Sequence, residues 1–292
     1  MARTRLRGLT IAGIQMGIEV PETCPWEWPD TAVADWQSLP REPEVAVGVR
    51  VARVDDAMVG AERYAICGWT FEVARAGSDW LLGLVRRGRR EQLARFDADY
   101  RVGEILMSPE AARSRHYPLR GPLDQWIVLH RTIARGGLCL TGTVGERAHE
   151  AVLRLGAARR GVANAWSSGP TLLGDRVLVL RPERERARWF RTPWNERFDS
   201  RLRDEMPVRG IEQREPTPLP YRAQLDPDEL ADRLVQHAIV PLNDEAVLDR
   251  VLRNAREIAD RVPGVELGVR QGNVPSVPAS RRGASVPIAT NG

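Results

Sequence analysis

Apolar and polar positions alternate along much of the first hundred residues. Leu9, Ile11, Ile14, Met16 and Ile18 follow a mostly two-residue period, and Val45, Val47, Val49 and Val51 alternate cleanly. Period two places every second side chain on one face, so these runs predict half-buried strands. Trp69, Phe71 and Val73 repeat the pattern. Trp80, Leu82 and Leu84 resume it after Gly77-Ser78-Asp79, a spacing that predicts a hairpin. A further strand is expected from Gly103 to Ser108. Between these, Pro21 to Pro43 reads as loop, and its Trp26, Trp28 and Trp36 are expected to cap a sheet face.

The period changes near residue 122. Leu123, Trp126, Ile127, His130, Ile133 and Ala134 fall at helical spacing, opened by Pro122 and stopped by Gly136-Gly137. His130 lies on the apolar stripe, where a packed core histidine is expected. Leu138 to Leu140 reads as a short buried strand. Ala151 to Leu155 is another strand or the start of a helix, and Arg176 to Leu180 a central strand. Asp226-Pro227-Asp228-Glu229 has a cap, a first-turn proline and an acid at the third position. Leu230, Leu234 and Ala238 form the stripe of the helix it opens. Asn243 is expected to cap a second helix, with Val247, Val251, Ala255, Ile258 and Val262 on one face and Pro263-Gly264 at its end. Val265 to Val269 reads as a last strand.

These elements predict a β-rich region over 1–116, a mixed α/β domain over 117–270 and a disordered tail over 271–292. The whole is α+β in class.

Composition narrows the chemistry. Lysine plus arginine number 43, and every one is arginine. Lysine Schiff-base or general-base chemistry is therefore excluded. So is a phosphate-loop lysine; anion recognition must use arginine or backbone N–H groups. Net charge is only +4. The dense basic runs (Arg86-Arg87-Gly88-Arg89-Arg90, Arg159-Arg160, Arg281-Arg282) read as solvated surface, so no nucleic-acid partner is expected. Three scattered cysteines (Cys24, Cys67, Cys139) and four scattered histidines lack metal-ligand spacing, so no metal is expected. With neither a signal peptide nor a long apolar span, a soluble cytoplasmic protein without membrane partners is expected. Asp97, Asp99 and Glu104 form a carboxylate group that reads as turn or strand-edge acids. Ser167-Ser168-Gly169 does not match a nucleophile elbow.

A resemblance enters over 117–270. It is carried by Tyr117-Pro118-Leu119, Pro122-Leu123-Asp124-Gln125, Gly136-Gly137-Leu138-Cys139-Leu140, Thr192-Pro193-Trp194, Ile239-Val240-Pro241-Leu242 and Arg261 to Gly268. Together these resemble bacterial proteins similar to the catalytic domain of HPr kinase/phosphorylase, a P-loop fold related to phosphoenolpyruvate carboxykinase. Many such proteins accompany peptide-modification gene clusters. The N-terminal half is also similar to the leading region of those proteins.

The resemblance implies an HPr-kinase-like P-loop α/β domain. It places the phosphate loop at Gly156-Ala157-Ala158-Arg159-Arg160-Gly161. The glycine spacing fits, but Val162 stands where the lysine belongs and Ala163 where the magnesium-binding hydroxyl belongs. An alternative placement at Gly142 to Arg147 is two residues too short and puts Glu146 beside the phosphates. Gly174-Asp175 matches the family's acidic pair with its first acid lost, leaving Asp175 as magnesium ligand or base. Thr192, Trp194 and Asn195 lie in the region the resemblance places near the acceptor site. Gly156, Arg159, Arg160 and Gly161 are then a degenerate phosphate loop.

The expected function is a catalytically degenerate kinase-like protein that binds a protein or peptide partner in a biosynthetic or modification pathway, with no cofactor. Two alternatives stay open. One is an active, atypical ATP- and magnesium-dependent serine phosphotransferase using Asp175 and arginines. The other is a carrier module that binds no nucleotide. The oligomeric state is open, a homo-oligomer included.

Overall fold

The computed structural model describes residues 3–22, 24, 42–54, 58–66, 68–114, 117–119, 121–156, 171–194, 204–241 and 244–269, with backbone alone at 66 and 171–176. Trp26, Trp28, Trp36, Asn195, Asn243, Cys67 and the expected tail lie outside these residues, as do Arg159, Arg160, Gly161, Val162 and Ala163.

The first eight strands are β1 (Thr4–Ile11), β2 (Ile14–Pro21), β3 (Val45–Val51), β4 (Glu62–Ile66), β5 (Trp69–Ala76), β6 (Asp79–Arg86), β7 (Arg89–Phe96) and β8 (Val102–Met107). They form one sheet in the order β1-β2-β3-β8-β7-β6-β5-β4. The apolar run from Leu9 to Ile18 is two strands rather than one, folded at Ala12-Gly13, both at positive φ. Alternation holds over Val45, Val47 and Val49, which are buried while Ala46 and Arg50 are exposed, but it fails at the strand end, where Val51 is exposed.

Strand β7 departs from the sequence reading. Its inward positions are Arg90, Gln92, Ala94 and Phe96. The basic run ending at Arg90 therefore does not lie wholly in solvent. Arg90 is buried and forms an ion pair with Glu72 of β5, itself buried and also held by Arg63 at 3.0 Å. A register shift between Leu84 and Val85 of β6 lies opposite the start of β7, where Arg90 and Gln92 both face inward.

A short helix, α1 (Pro109–Arg113), capped by Ser108, leads to α2 (Leu123–Ala134). Helix α2 is buried almost all round, from Leu123 and Asp124 through Ile127–Ile133, as befits a helix lying between layers. Gly136 (φ 79°) terminates it in the left-handed region. Asn254 Nδ2 donates to the carbonyls of Ile133 and Gly137, both at 2.9 Å.

The second sheet holds β9 (Leu138–Arg147), β10 (Glu150–Leu155), β11 (Thr171–Glu183), β12 (Arg186–Phe190), β13 (Glu205–Pro216), β14 (Tyr221–Leu225) and β15 (Gly264–Val269). Its order is β10-β9-β11-β12-β13-β15-β14, and β10 also pairs in parallel with β13. That extra pairing closes β10, β9, β11, β12 and β13 into a ring. Ala151 to Leu155 is thus a strand, and the segment at Leu138 is much longer than expected. Gly142 to Arg147, the rejected alternative loop, lies inside β9.

Helix α3 (Pro227–Gln236) has the capping box read from the sequence, with Asp226 and Glu229 bonded reciprocally. Helix α4 (Glu245–Ala259) is capped by Asp244, not Asn243. Asp244 accepts from Val247 N at 3.3 Å and pairs with Arg75 of β5 at 2.8 Å. One contiguous apolar core runs through both sheets and the helices, from Leu9 to Val262. The mixed sheets with few helices make an α+β fold.

Candidate functional site

Strand β10 is apolar and buried at Ala151, Val152, Leu153 and Leu155, and it ends at Gly156. Gly156 adopts φ 105°, which favours glycine, so the chain leaves the ring there in a conformation other residues resist. Its N–H donates to the Thr141 carbonyl at 3.1 Å. Thr141 N and Thr141 Oγ1 both donate to the His237 carbonyl, at 2.8 and 3.3 Å. A Cβ on Gly156 would stand 3.7 Å from His237 Cε1. Burial, followed by the nearby Arg233 charge, lowers the His237 pKa, so the ring beside Gly156 is neutral at pH 7.

Asp175 lies in β11, opposite Thr143 of β9, and Thr143 in turn faces Arg154 of β10. Strands β10 and β11 therefore flank β9 and run parallel to each other. A register shift between Leu172 and Gly174 sits directly before Asp175. Bulges of this kind re-aim a strand locally.

Thr192, Pro193 and Trp194 follow β12. Thr192 is fully buried, and its Oγ1 donates to the Val177 carbonyl at 3.3 Å. Val177 is the Cα partner of Thr141. Gly156, Thr141, Val177 and Thr192 thus stand in one row across the sheet. Three segments far apart in sequence, at 156, 175–177 and 192–194, meet along that row.

Trp194 extends the row to α2. Its Nε1 donates to Asp124 Oδ2 at 3.2 Å. Asp124 Oδ1 accepts from Gln125 N at 2.7 Å. Burial pushes the Asp124 carboxyl up to about 6, and these two donors only partly oppose that shift. Tyr117 is buried beside it, its pKa raised by burial and then by the Asp124 charge. This carboxylate is shut away from solvent. Its bond to Trp194 positions the Thr192–Trp194 turn.

Neither a known protein family nor a curated protein matches the chain.

The remaining candidates have local roles. Asp97 Oδ1 accepts from Arg101 N at 2.7 Å and Val102 N at 3.2 Å, which makes it a turn acid. The Asp99 carbonyl accepts from Arg131, and Glu104 pairs with Arg50. No group of three or more metal-ligating side chains occurs among the described residues. Nor is any described helix long and apolar enough to cross a membrane. Sequence reasoning did not select Asp124 or His237. Asp124 is one polar residue in a helical first turn, and His237 is one at a helix end; neither position carries a local signal of its tertiary partner.

Proposed function

We propose that this chain is a catalytically degenerate HPr-kinase-like protein. In this reading it binds a protein or peptide partner and does not transfer phosphate; of the Thr192–Trp194 turn, Thr192 and Pro193 are buried and Trp194 is the part-exposed residue that could meet the partner. The observation that carries the proposal is the chemistry at positions 162 and 163. A phosphate loop leaving β10 at Gly156 would need a cation and a magnesium-binding hydroxyl next to Gly161. Val162 and Ala163 offer neither, and Gly174 removes the first acid before Asp175. The row from Gly156 to Thr192 supports the reading, because it links the end of β10 through Thr141 of β9 to Val177 of β11 and on to the turn, with β9 standing between the loop-bearing and acid-bearing strands. Arg159 and Arg160 do not restore the lost functions. A guanidinium fork cannot take a lysine's point position, and it supplies no ligand to magnesium.

The test is a titration of the full chain with ATP and magnesium while thermal stability is followed. A ligand at 100 times its Kd would add about 2.7 kcal/mol. The expected result is no shift at millimolar nucleotide. A clear shift that Asp175→Ala abolishes would overturn this reading in favour of an active phosphotransferase.

A further inference from the structure

At the other end of β11 from Asp175, the β11–β12 hairpin and the last turn of α2 enclose a hollow of about 200 Å³. It is lined by Arg135, Arg181, Pro182, Glu183, Arg188 and Phe190. The β1–β2 turn presses against it: a Cβ on Gly13 would lie 2.8 Å from Arg181 Nη2. Two of the three arginines are engaged. Arg188 donates to Glu183 at 2.7 Å and to Glu205 at 3.1 Å. Arg135 pairs with Glu44 and donates to the Gly13 carbonyl at 3.1 Å.

Arg181 is different. Among the described residues it has no carboxylate partner, and its guanidinium stacks 3.8 Å from the centre of the Phe190 ring. It is half-buried. Burial, then the neighbouring Arg135 charge, pulls its pKa down to about 10, so it remains a cation at pH 7. Glu44, Glu205 and Glu183 lie near enough to offset part of its charge, but among the described residues none is hydrogen-bonded to its guanidinium. Stacking occupies the face of the guanidinium but leaves donors on its edge, and that fork matches phosphate and carboxylate oxygens. Glu183, the one carboxylate in the lining among the described residues, is already held by Arg188.

We propose that this hollow binds a small oxyanion, a phosphate or carboxylate group, on the free edge of Arg181, with Arg135 supplying a second positive charge. The volume falls below the ~300–1,000 Å³ of pockets for drug-sized ligands, which favours a small ion over a nucleotide. Arg181 lies six residues beyond Asp175 along the strand, roughly 20 Å away. The site is therefore independent of the phosphate-loop region and of the kinase-like reading.

The full chain is titrated with inorganic phosphate, and separately with acetate, against chloride at constant ionic strength. Melting temperature and calorimetric binding are both followed. The expected result is an upward shift of roughly 4–5 °C at 100 times Kd. Arg181→Met should abolish the shift, and Arg181→Lys should weaken binding at least tenfold because it keeps the charge and loses the fork. An Arg181-dependent response to either anion supports the site and shows which group it prefers. Equal responses in wild type and Arg181→Met overturn it, and so does the absence of any response at tens of millimolar. An Arg159→Ala/Arg160→Ala variant should respond like wild type; loss of the response there, with Arg181→Met still responding, would move the anion to the loop and sink the proposal. If Arg181→Met does not fold, calorimetry on Arg181→Lys decides: unchanged affinity overturns the site.

Discussion

His130 and Asp124 lie six residues apart on one helix and are displaced in opposite senses by the same cause. His130 stacks 4.3 Å from Tyr100 and lies within 6 Å of Trp80 and Trp126. Its Nε2 has no hydrogen-bond partner among the described residues. Burial, with Arg75 and Arg250, lowers its pKa to about 3. The folded-state value is below the unfolded value of 6.5, so the unfolded chain binds more protons between them. His130 should therefore lower stability as pH falls from 6.5 towards 3, on the order of a few kcal/mol in total. Asp124 works the other way. Its folded-state pKa of about 6 exceeds the ordinary 3.8, so its contribution improves as pH falls through that window. Urea unfolding at pH 5 and pH 8 separates the two. Asp124→Asn should remove the gain at pH 5 and make the acid-side loss steeper, whereas His130→Phe should flatten that loss. A His130→Phe profile as steep as wild type would show that the histidine is not buried neutral. Gly142 marks a different constraint. A Cβ there would lie 2.4 Å from the Arg154 carbonyl in the neighbouring strand. Gly142→Ala should destabilise by about 1–3 kcal/mol, read as a lowered denaturation midpoint with an unchanged slope.

At the scale of elements, legibility followed local chemistry. The α3 start was readable because a capping box is a contiguous signal. Asp226→Ala should cost about 1 kcal/mol in urea unfolding; no measurable loss would mean that tertiary contacts alone hold that end. The α4 cap was misplaced by one residue, since Asn243 and Asp244 are both competent caps and only the register of the helix separates them. Strands β3, β5 and β6 were readable from clean alternation. Strands β7, β12 and β13 were not, because arginine, glutamine and glutamate occupy many of their positions and blur the period. In β7 the inward arginine is tolerated because Glu72 stands opposite it, and nothing near Arg90 in sequence announces that partner. The row of candidate residues has the same character. Gly156, Asp175 and Thr192–Trp194 could each be named from short motifs, but only strand pairing brings their segments onto β10, β11 and the end of β12 on either side of β9 and β11.

Across the whole molecule, Glu44 ties the first sheet to α2. It sits just before β3 and holds Arg131 of α2 at 2.6–2.8 Å and also Arg135. Arg131 is buried and donates further to the Asp99 carbonyl at 2.9 Å. Removing the carboxylate would strand a buried cation between the layers. Glu44→Ala should therefore cost about 3–5 kcal/mol, measured as a drop in melting temperature. A loss under 1 kcal/mol would mean that solvent reaches Arg131. The amino-acid sequence by itself determined which chemistries are closed to this protein. An all-arginine complement, with Val162 and Ala163 beside Gly161, excludes lysine-based catalysis whatever the fold. It also determined the Asp226–Glu229 capping box and the cleanly alternating strands, because those are set by residues within one turn or one pleat. Only the tertiary structure decided the ring closed by β10 and β13, the burial of Arg90 and Asp124, and the hollow at Arg181. Each depends on groups tens to more than a hundred residues apart, and burial or charge pairing at that range leaves no period along the chain.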